Sequence, residues 1–317
     1  MQLNTTPQHP IASETACFPA HYEKIRSVGR GAFGSCFVVR AKKFKNSSDE
    51  HSGSPSASGS GDASPSAGVE GLYVLKDIPL EPDRDGNPPD VQKAAQEAHL
   101  LRQLDHNNVV KYYESQILQD EVPGCMRLMI VMEYADGGDL QLLLDRHKRV
   151  DRTLGEERAM FVFVQLCSAI RHVHSRRVVH RDLNPRNIFL TKNDVVKLGD
   201  FGISTAFSTN TQMAKTFLGT PAYLAPEVIN EEPYGQSADI WAMGVILYVM
   251  MTNEEPFRLQ GGGMHQLLYR ITEMPAPTLS EDVASRACAD LCKNMLEKNP
   301  YYRPSIINIL REKYIQT

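Results

Sequence analysis

Residues 180–187 read His180-Arg181-Asp182-Leu183-Asn184-Pro185-Arg186-Asn187, set between a long apolar helical pattern and a short strand pattern at Ile188 to Thr191. Asp182 and Asn187, five apart on one loop, offer a proton acceptor and an oxygen ligand that can face a common point. Leu198-Gly199-Asp200-Phe201-Gly202 follows and adds a second carboxylate, with glycine beside it to let the backbone turn. Phosphoryl transfer needs this set: one carboxylate to take the nucleophile's proton, and a carboxylate with an amide to hold a divalent cation against the phosphates. Either motif alone recurs by chance; both in order, at this spacing, point to that chemistry.

The rest of the composition narrows the setting. A chain of 317 residues is long enough for two domains, or one large one, with a substantial core. Thirty-four basic against 38 acidic residues leave a formal net charge of -4, which points to no nucleic-acid or membrane-surface partner. The six cysteines, at 17, 36, 125, 167, 288 and 292, form no CxxC pair and have no matching histidine cluster, so they read as reduced thiols of a cytoplasmic protein. Residues 1–21 form an N-terminal extension, with Asn, Gln, His and Pro where a signal peptide carries an apolar run. The longest apolar stretch, Trp241 to Met251, is too short to cross a bilayer, so no membrane insertion is expected.

Upstream of the loop, Tyr22 to Lys43 reads as two strands joined by Gly29-Arg30-Gly31-Ala32-Phe33-Gly34, whose glycines let backbone amides approach a phosphate. A strand follows these glycines where a dinucleotide-binding fold would place a helix. Residues 46–68 hold nine serines, four glycines, two prolines and no large hydrophobe; they cannot repay their ordering entropy and are expected to form a disordered insert within a sheet. The strand pattern resumes from Gly71 and carries Lys76, which needs a partner if buried. A helix predicted over Val91 to Leu104, capped by Asp90, has the apolar stripe Val91, Ala94, Ala98, Leu101 and Leu104 and turns Glu97 toward the core. An ion pair between Lys76 and Glu97, orienting the lysine onto phosphate, is therefore expected.

Strands are predicted at Val109 to Glu114 and Arg127 to Glu133, and Ala135-Asp136-Gly137-Gly138-Asp139 then breaks the pattern as a hinge. Beyond it the sequence turns helical. Thr153-Leu154-Gly155-Glu156 predicts a capping box ahead of the apolar run Met160 to Val173, and Asp239 to Met251 is apolar almost all round, as a helix buried on every side would be. Cys288 and Cys292 are spaced as helix neighbours in the core.

With the glycine loop, Lys76, Glu97, residues 180–187, Asp200-Phe201-Gly202 and Ala225-Pro226-Glu227 all in order, residues 22–312 resemble a eukaryotic protein kinase. Within that superfamily, Ile130 to Tyr134, Gly137 to Leu140, Asn187 to Leu190 and Lys215 to Pro221 resemble the NIMA-related serine/threonine kinases. The resemblance implies an α+β bilobal protein-kinase fold: a small antiparallel β lobe with one main helix over 22–134, and a large, mainly helical lobe over 135–317. It implies ATP and Mg2+ as cofactors and Ser/Thr hydroxyls of proteins as acceptors, in the cytoplasm with cytoskeletal or nuclear association. Asp182 would be the base, Lys76 would hold the phosphates, and Asn187 and Asp200 would bind the metal. Around ATP it implies Val28, Gly29, Arg30, Gly31, Ala32, Phe33, Gly34, Ser35 and Cys36 from the glycine loop. Val74, the gatekeeper Met132, the hinge residues Glu133 and Ala135, and Asp139 and Phe189 complete that site.

Leu101, Tyr112, His180 and Phe201 match a stack that couples the lobes and is anchored by Asp239, and Glu227 with Arg303 matches a buried ion pair. Thr220 belongs to the substrate-receiving loop. Thr216 is the expected activating phosphosite, filled by an upstream kinase or by autophosphorylation, and its phosphate would pair with Arg181. Three residues depart from the pattern. Val74 replaces a small alanine, Cys36 replaces valine, and Asn184 replaces the lysine that meets the γ-phosphate. Arg186, four residues after Asp182, is expected to take over that lysine's work. A nucleotide-binding scaffold without catalysis is the competing reading, carried by Asn184 alone; an enzyme for small molecules is disfavoured by the intact 200–227 segment.

Overall fold

The computed structural model describes residues 21–31, 34–42, 71–80, 91–119, 125–200, 221–258 and 263–316. The expected insert at 46–68, the Asp90 cap, and Ala32, Phe33, Phe201, Thr216 and Thr220 lie outside the described residues.

Strands β1 (Tyr22–Gly31), β2 (Gly34–Ala41), β3 (Leu72–Leu80), β4 (Tyr112–Gln119) and β5 (Met126–Glu133) form one antiparallel sheet in the order β1-β2-β3-β5-β4. Side chains alternate between its faces. Ile78 and Leu80 of β3 pack with Leu128 and Ile130 against Ala94 of helix α1 (Val91–Arg102), while Leu75 packs with Val39, Met129 and Val131 on the opposite face. Lys76 shares its face with Ile78 and Leu80, so period two sets the lysine under the helix. Gly34 has φ +141, and a Cβ there would lie 2.0 Å from the Asp77 carbonyl oxygen, so glycine alone lets β2 begin this close to β3. The strand expected from Val109 starts at Tyr112 instead; Val109 makes an isolated parallel bridge to Leu198.

The larger lobe holds a three-stranded sheet, β6 (Gly138–Asp139), β7 (Ile188–Leu190) and β8 (Val196–Leu198), and most of the helices. These are α2 (Leu140–Arg149), α3 (Glu156–Ser175), α4 (Pro226–Ile229), α5 (Gln236–Thr252), α6 (Gly263–Glu273), α7 (Arg286–Met295), α8 (Ile306–Arg311) and α9 (Lys313–Gln316). Helix α5 is buried at every residue from Ala238 to Met251 except Tyr248, as its all-round apolar pattern requires. Gly244 lets α7 approach: a Cβ would stand 2.9 Å from the Cβ of Met295. Cys288 and Cys292 fill the same core, and the five described cysteines are free thiols.

The capping box expected ahead of α3 does not form. Gly155 is the N-cap, at φ +76 and without a side-chain acceptor. Glu156 turns elsewhere, accepting from the Ser285 N–H at 2.6 Å, the Ser285 hydroxyl at 2.5 Å and the Tyr314 hydroxyl. Burial alone would raise the Glu156 carboxyl, but these hydrogen bonds hold it below its usual range. Three donors from the starts of α7 and α9 thus outweigh one backbone N–H at the helix start.

Arg303 and Glu227 do form a buried pair. The guanidinium meets both carboxylate oxygens, at 2.6 and 2.7 Å, and gives its remaining N–H groups to the carbonyls of Glu297, Ser237 and Lys298. Their side chains are 0% and 1% exposed, so every donor is answered where water cannot answer it. Arg303→Ala should lower unfolding free energy by about 3–5 kcal/mol, because Glu227 would be left charged and dry. Urea denaturation at constant m-value measures this; a loss under about 1 kcal/mol, the size of an exposed pair, would contradict it.

Candidate active site

The loop at 180–187 is held from beneath by a buried carboxylate. Asp239, near the start of α5, accepts the His180 N–H at 2.9 Å and the His174 ring at 2.8 Å through one oxygen, and the Arg181 N–H at 3.1 Å through the other. Arg181 has φ +70, a left-handed conformation that a non-glycine residue keeps only when its surroundings impose it. The His180 ring reaches the Gly199 carbonyl at 2.9 Å and so fixes the loop against the segment carrying Asp200.

Within the loop, Asn184 caps the 3-10 turn Pro185–Asn187: its Oδ1 accepts the Arg186 N–H at 3.0 Å, with proline at the first turn position. Its amide nitrogen donates to Asp182, to the carboxylate at 3.0 Å and the carbonyl at 3.1 Å. Asn187 does the same from the other side, at 3.0 and 2.7 Å. Two amides therefore orient the two Asp182 oxygens. Reduced hydration raises the Asp182 pKa; the His180 ring and these amides pull it down, and the Asp200 charge adds to the rise.

Asp200 joins the same cluster. The Gly199 N–H bonds to the Asn187 carbonyl at 3.0 Å, and Asp200 itself is left-handed at φ +50. Its carboxylate forms an ion pair with Lys76, whose side chain is 10% exposed. Burial disfavours the Lys76 ammonium, but Asp200 outweighs it and raises the pKa. Glu97 stands on α1, but its side chain is outside the described residues, as is that of Arg30. Cys36 lies directly across the β2–β3 ladder from Lys76, and burial pushes its thiol up. The departing residue Val74 pairs in register with Met132, the expected gatekeeper.

The hinge joins the lobes through contacts that the pattern of residues does not announce. The Glu133 carboxylate takes Lys197 of β8 at 2.7 Å and the Lys111 N–H at 3.1 Å, and Tyr134 accepts from Arg26 of β1 at 2.9 Å. A Cβ on Gly137 would stand 2.6 Å from the Thr191 carbonyl oxygen, and Asp139 pairs with Phe189 and caps α2 through the Leu142 N–H at 2.8 Å. The stack residues Leu101 and Tyr112 flank one small-lobe core cluster. Sequence reasoning missed the Asn184 cap, although Asn before Pro at a helical start was a legible signal.

The sequence model of the protein kinase domain matches residues 66–315. Mus musculus serine/threonine-protein kinase Nek4 is 34% identical over 297 residues, covering 94% of this chain and 33% of that protein. Homo sapiens serine/threonine-protein kinase Nek5 is 33% identical over 298 residues, covering 93% and 36%, and the probable serine/threonine-protein kinase nek3 of Dictyostelium discoideum is 34% identical over 298 residues, covering 93% and 23%. The chain spans roughly a third or less of the length of these relatives. With the domain match extending over most of the residues and a two-lobed fold around the Lys76–Asp200 pair, the chain belongs to the protein kinase domain family.

Proposed function

We propose that this chain is an ATP-dependent serine/threonine protein kinase that moves the γ-phosphate of ATP to Ser/Thr hydroxyls of proteins in the cytoplasm or nucleus. The observation that carries this reading is the hydrogen-bonded cluster in which Asn184 and Asn187 orient Asp182 while Lys76 pairs with Asp200. Asp182 takes the acceptor hydroxyl's proton, and Lys76 is poised to meet phosphate oxygens. Asn187 Oδ1 and the second Asp200 oxygen accept no hydrogen bond among the described residues, a donor set suited to magnesium, which would neutralise phosphate charge when bound. The scaffold reading loses its support, because Asn184 has a task of its own in holding the base.

Asp182→Asn should lower turnover by about three or more orders of magnitude with folding intact, as loss of a positioned base together with its charge implies. Asp200→Asn should in addition abolish the magnesium dependence of nucleotide binding. Near-normal peptide phosphorylation by Asp182→Asn would reject the base assignment.

Arg186 is exposed and makes no side-chain hydrogen bond or ion pair among the described residues. As the substitute for the missing lysine it should contribute about 1.5–3 kcal/mol to the transition state, so Arg186→Ala should lose roughly 10- to 100-fold in kcat/KM. Asn184→Lys should then rescue it, the ammonium taking over the amide's place as donor to Asp182, at a cost of about 1 kcal/mol in stability for the lost cap. A double-mutant cycle in kcat/KM decides: additive effects would remove the compensation.

Thr216, phosphorylated in trans or by the chain itself, is the proposed switch, with Arg181 as its counterion. Thr216→Ala should depress activity strongly; full activity in that variant, with Thr216 unmodified in active wild-type enzyme by mass mapping, would exclude it.

A further inference from the structure

Strand β1 is an edge of the small sheet, and its register on β2 slips twice. Lys24 pairs with Val39 and Arg26 with Val38; Ser27 then pairs with Phe37 and Gly29 with Cys36. Ile25 and Val28 are the surplus residues, and both side chains are exposed. A bulge re-aims the side chain that follows it. In a regular strand Lys24 and Arg26, two apart, would share a face. Here Lys24 lies over the Phe37 ring, 4.1 Å from its centroid, and Phe37 pairs with Leu75 on the outer face. Arg26 instead heads the row Arg26, Val38, Val74 and Met132, on the face that carries Lys76.

On that face Arg26 reaches the hinge. Its Nη2 donates to the Tyr134 hydroxyl at 2.9 Å, and the guanidinium carbon stands 6.0 Å from the centroid of the same ring. The contact spans the sheet, since β2 and β3 separate β1 from β5, and Tyr134 directly follows β5. Its two ends are held unequally. The Glu133 N–H bonds to the Lys111 carbonyl at 2.8 Å, and the Glu133 carboxylate takes the Lys111 N–H and Lys197, so Tyr134 is the fixed end. Strand β1 pairs on one side only and is broken by two bulges, so it is the end that can swing. The neighbouring row, Gly29, Cys36, Lys76 and Ile130, lies two residues farther from the hinge along β5. The contact therefore closes the hinge end of the face from which Lys76 meets Asp200.

We propose that Arg26 is a positioning residue whose contact with Tyr134 latches β1 over the hinge end of the cleft and slows release of the nucleotide. The proposal rests on the kinase reading for the identity of the ligand, while the latch itself is a contact between two elements of this chain. The competing account is an exposed contact that orders two side chains and leaves the nucleotide untouched.

The test uses the full chain with magnesium and a fluorescent nucleotide, N-methylanthraniloyl-ADP, chased by excess ATP in stopped flow. Arg26→Ala should speed release about two- to fivefold, the size expected of a cation–π contact at an exposed site. It should raise the KM for ATP and leave the KM for peptide at the parent's value. Tyr134→Phe, which keeps the ring and removes the acceptor, should give part of the same effect, and Arg26→Lys should restore most of the slow release. In the double variant of Arg26→Ala and Tyr134→Phe the effects should not add, because both remove one contact. Release at the parent's rate from Arg26→Ala of unchanged Tm, or additive effects in the double variant, overturns the proposal. Should Arg26→Ala fail to fold, Tyr134→Phe carries the test, and parental release from it overturns the latch. Latch-dependent release without any phosphoryl transfer would overturn the kinase reading and leave the latch standing; failure to bind the nucleotide at all overturns both.

Discussion

Asp239 carries the constraint on which the active loop depends. A carboxylate that is 2% exposed is costly unless each oxygen is answered. Here the answers are two consecutive backbone N–H groups of the loop and one histidine ring. That arrangement ties a helix buried on all sides to a loop with a left-handed residue, so the strain at Arg181 is held by an element whose own position the core fixes. Everything downstream inherits this position: the Asn184 cap, the orientation of Asp182, and the His180 bond that fixes Gly199 ahead of Asp200.

A second set of contacts decides how the two lobes meet. The Val110 N–H and the Leu198 carbonyl bond at 2.8 Å, and the Leu198 N–H and Asn108 carbonyl do the same, so the chain entering β4 runs beside β8 of the larger lobe. Glu133 adds a carboxylate between Lys197 and the Lys111 backbone. The hinge is thus anchored by backbone pairing on one flank and charge on the other. The Lys76–Asp200 ion pair crosses the cleft this creates, from the small sheet to the segment after β8.

Much of this was legible in the residues because its signals are local or chemically loud. The buried length of α5 follows from a run with no polar face, and the 180–187 and 198–202 stretches point to the protein kinase family by residue type and spacing. The pair of Glu227 and Arg303, 76 apart, was legible only through resemblance, since nothing local joins them. What escaped was competition between partners. Glu156 has the spacing of a capping box, yet Ser285 and Tyr314, brought by helices more than a hundred residues away, present three donors where the local backbone presents one. Asn184 reads as a missing cation until its turn is seen, after which it reads as a cap that also restrains the Asp182 carboxylate.

The connection between β2 and β3 shows how sequence matching and structure diverge for a physical reason. The ladder runs without a break from Ser35 opposite Asp77 to Arg40 opposite Leu72, although 31 intervening positions separate the last pair. Closing so long a connection costs little more than closing a short one, since the entropy grows with the logarithm of length. The register is instead set by burial: Val39 and Leu75 must face one core cluster, and a slip by one residue would turn them to the other side. The same register puts Cys36 beside Lys76 and brings Gly34 against the Asp77 carbonyl. A domain match that begins at residue 66 leaves β1 and β2 outside it, yet both strands complete the sheet because pairing and burial, which an insertion does not alter, decide where they lie.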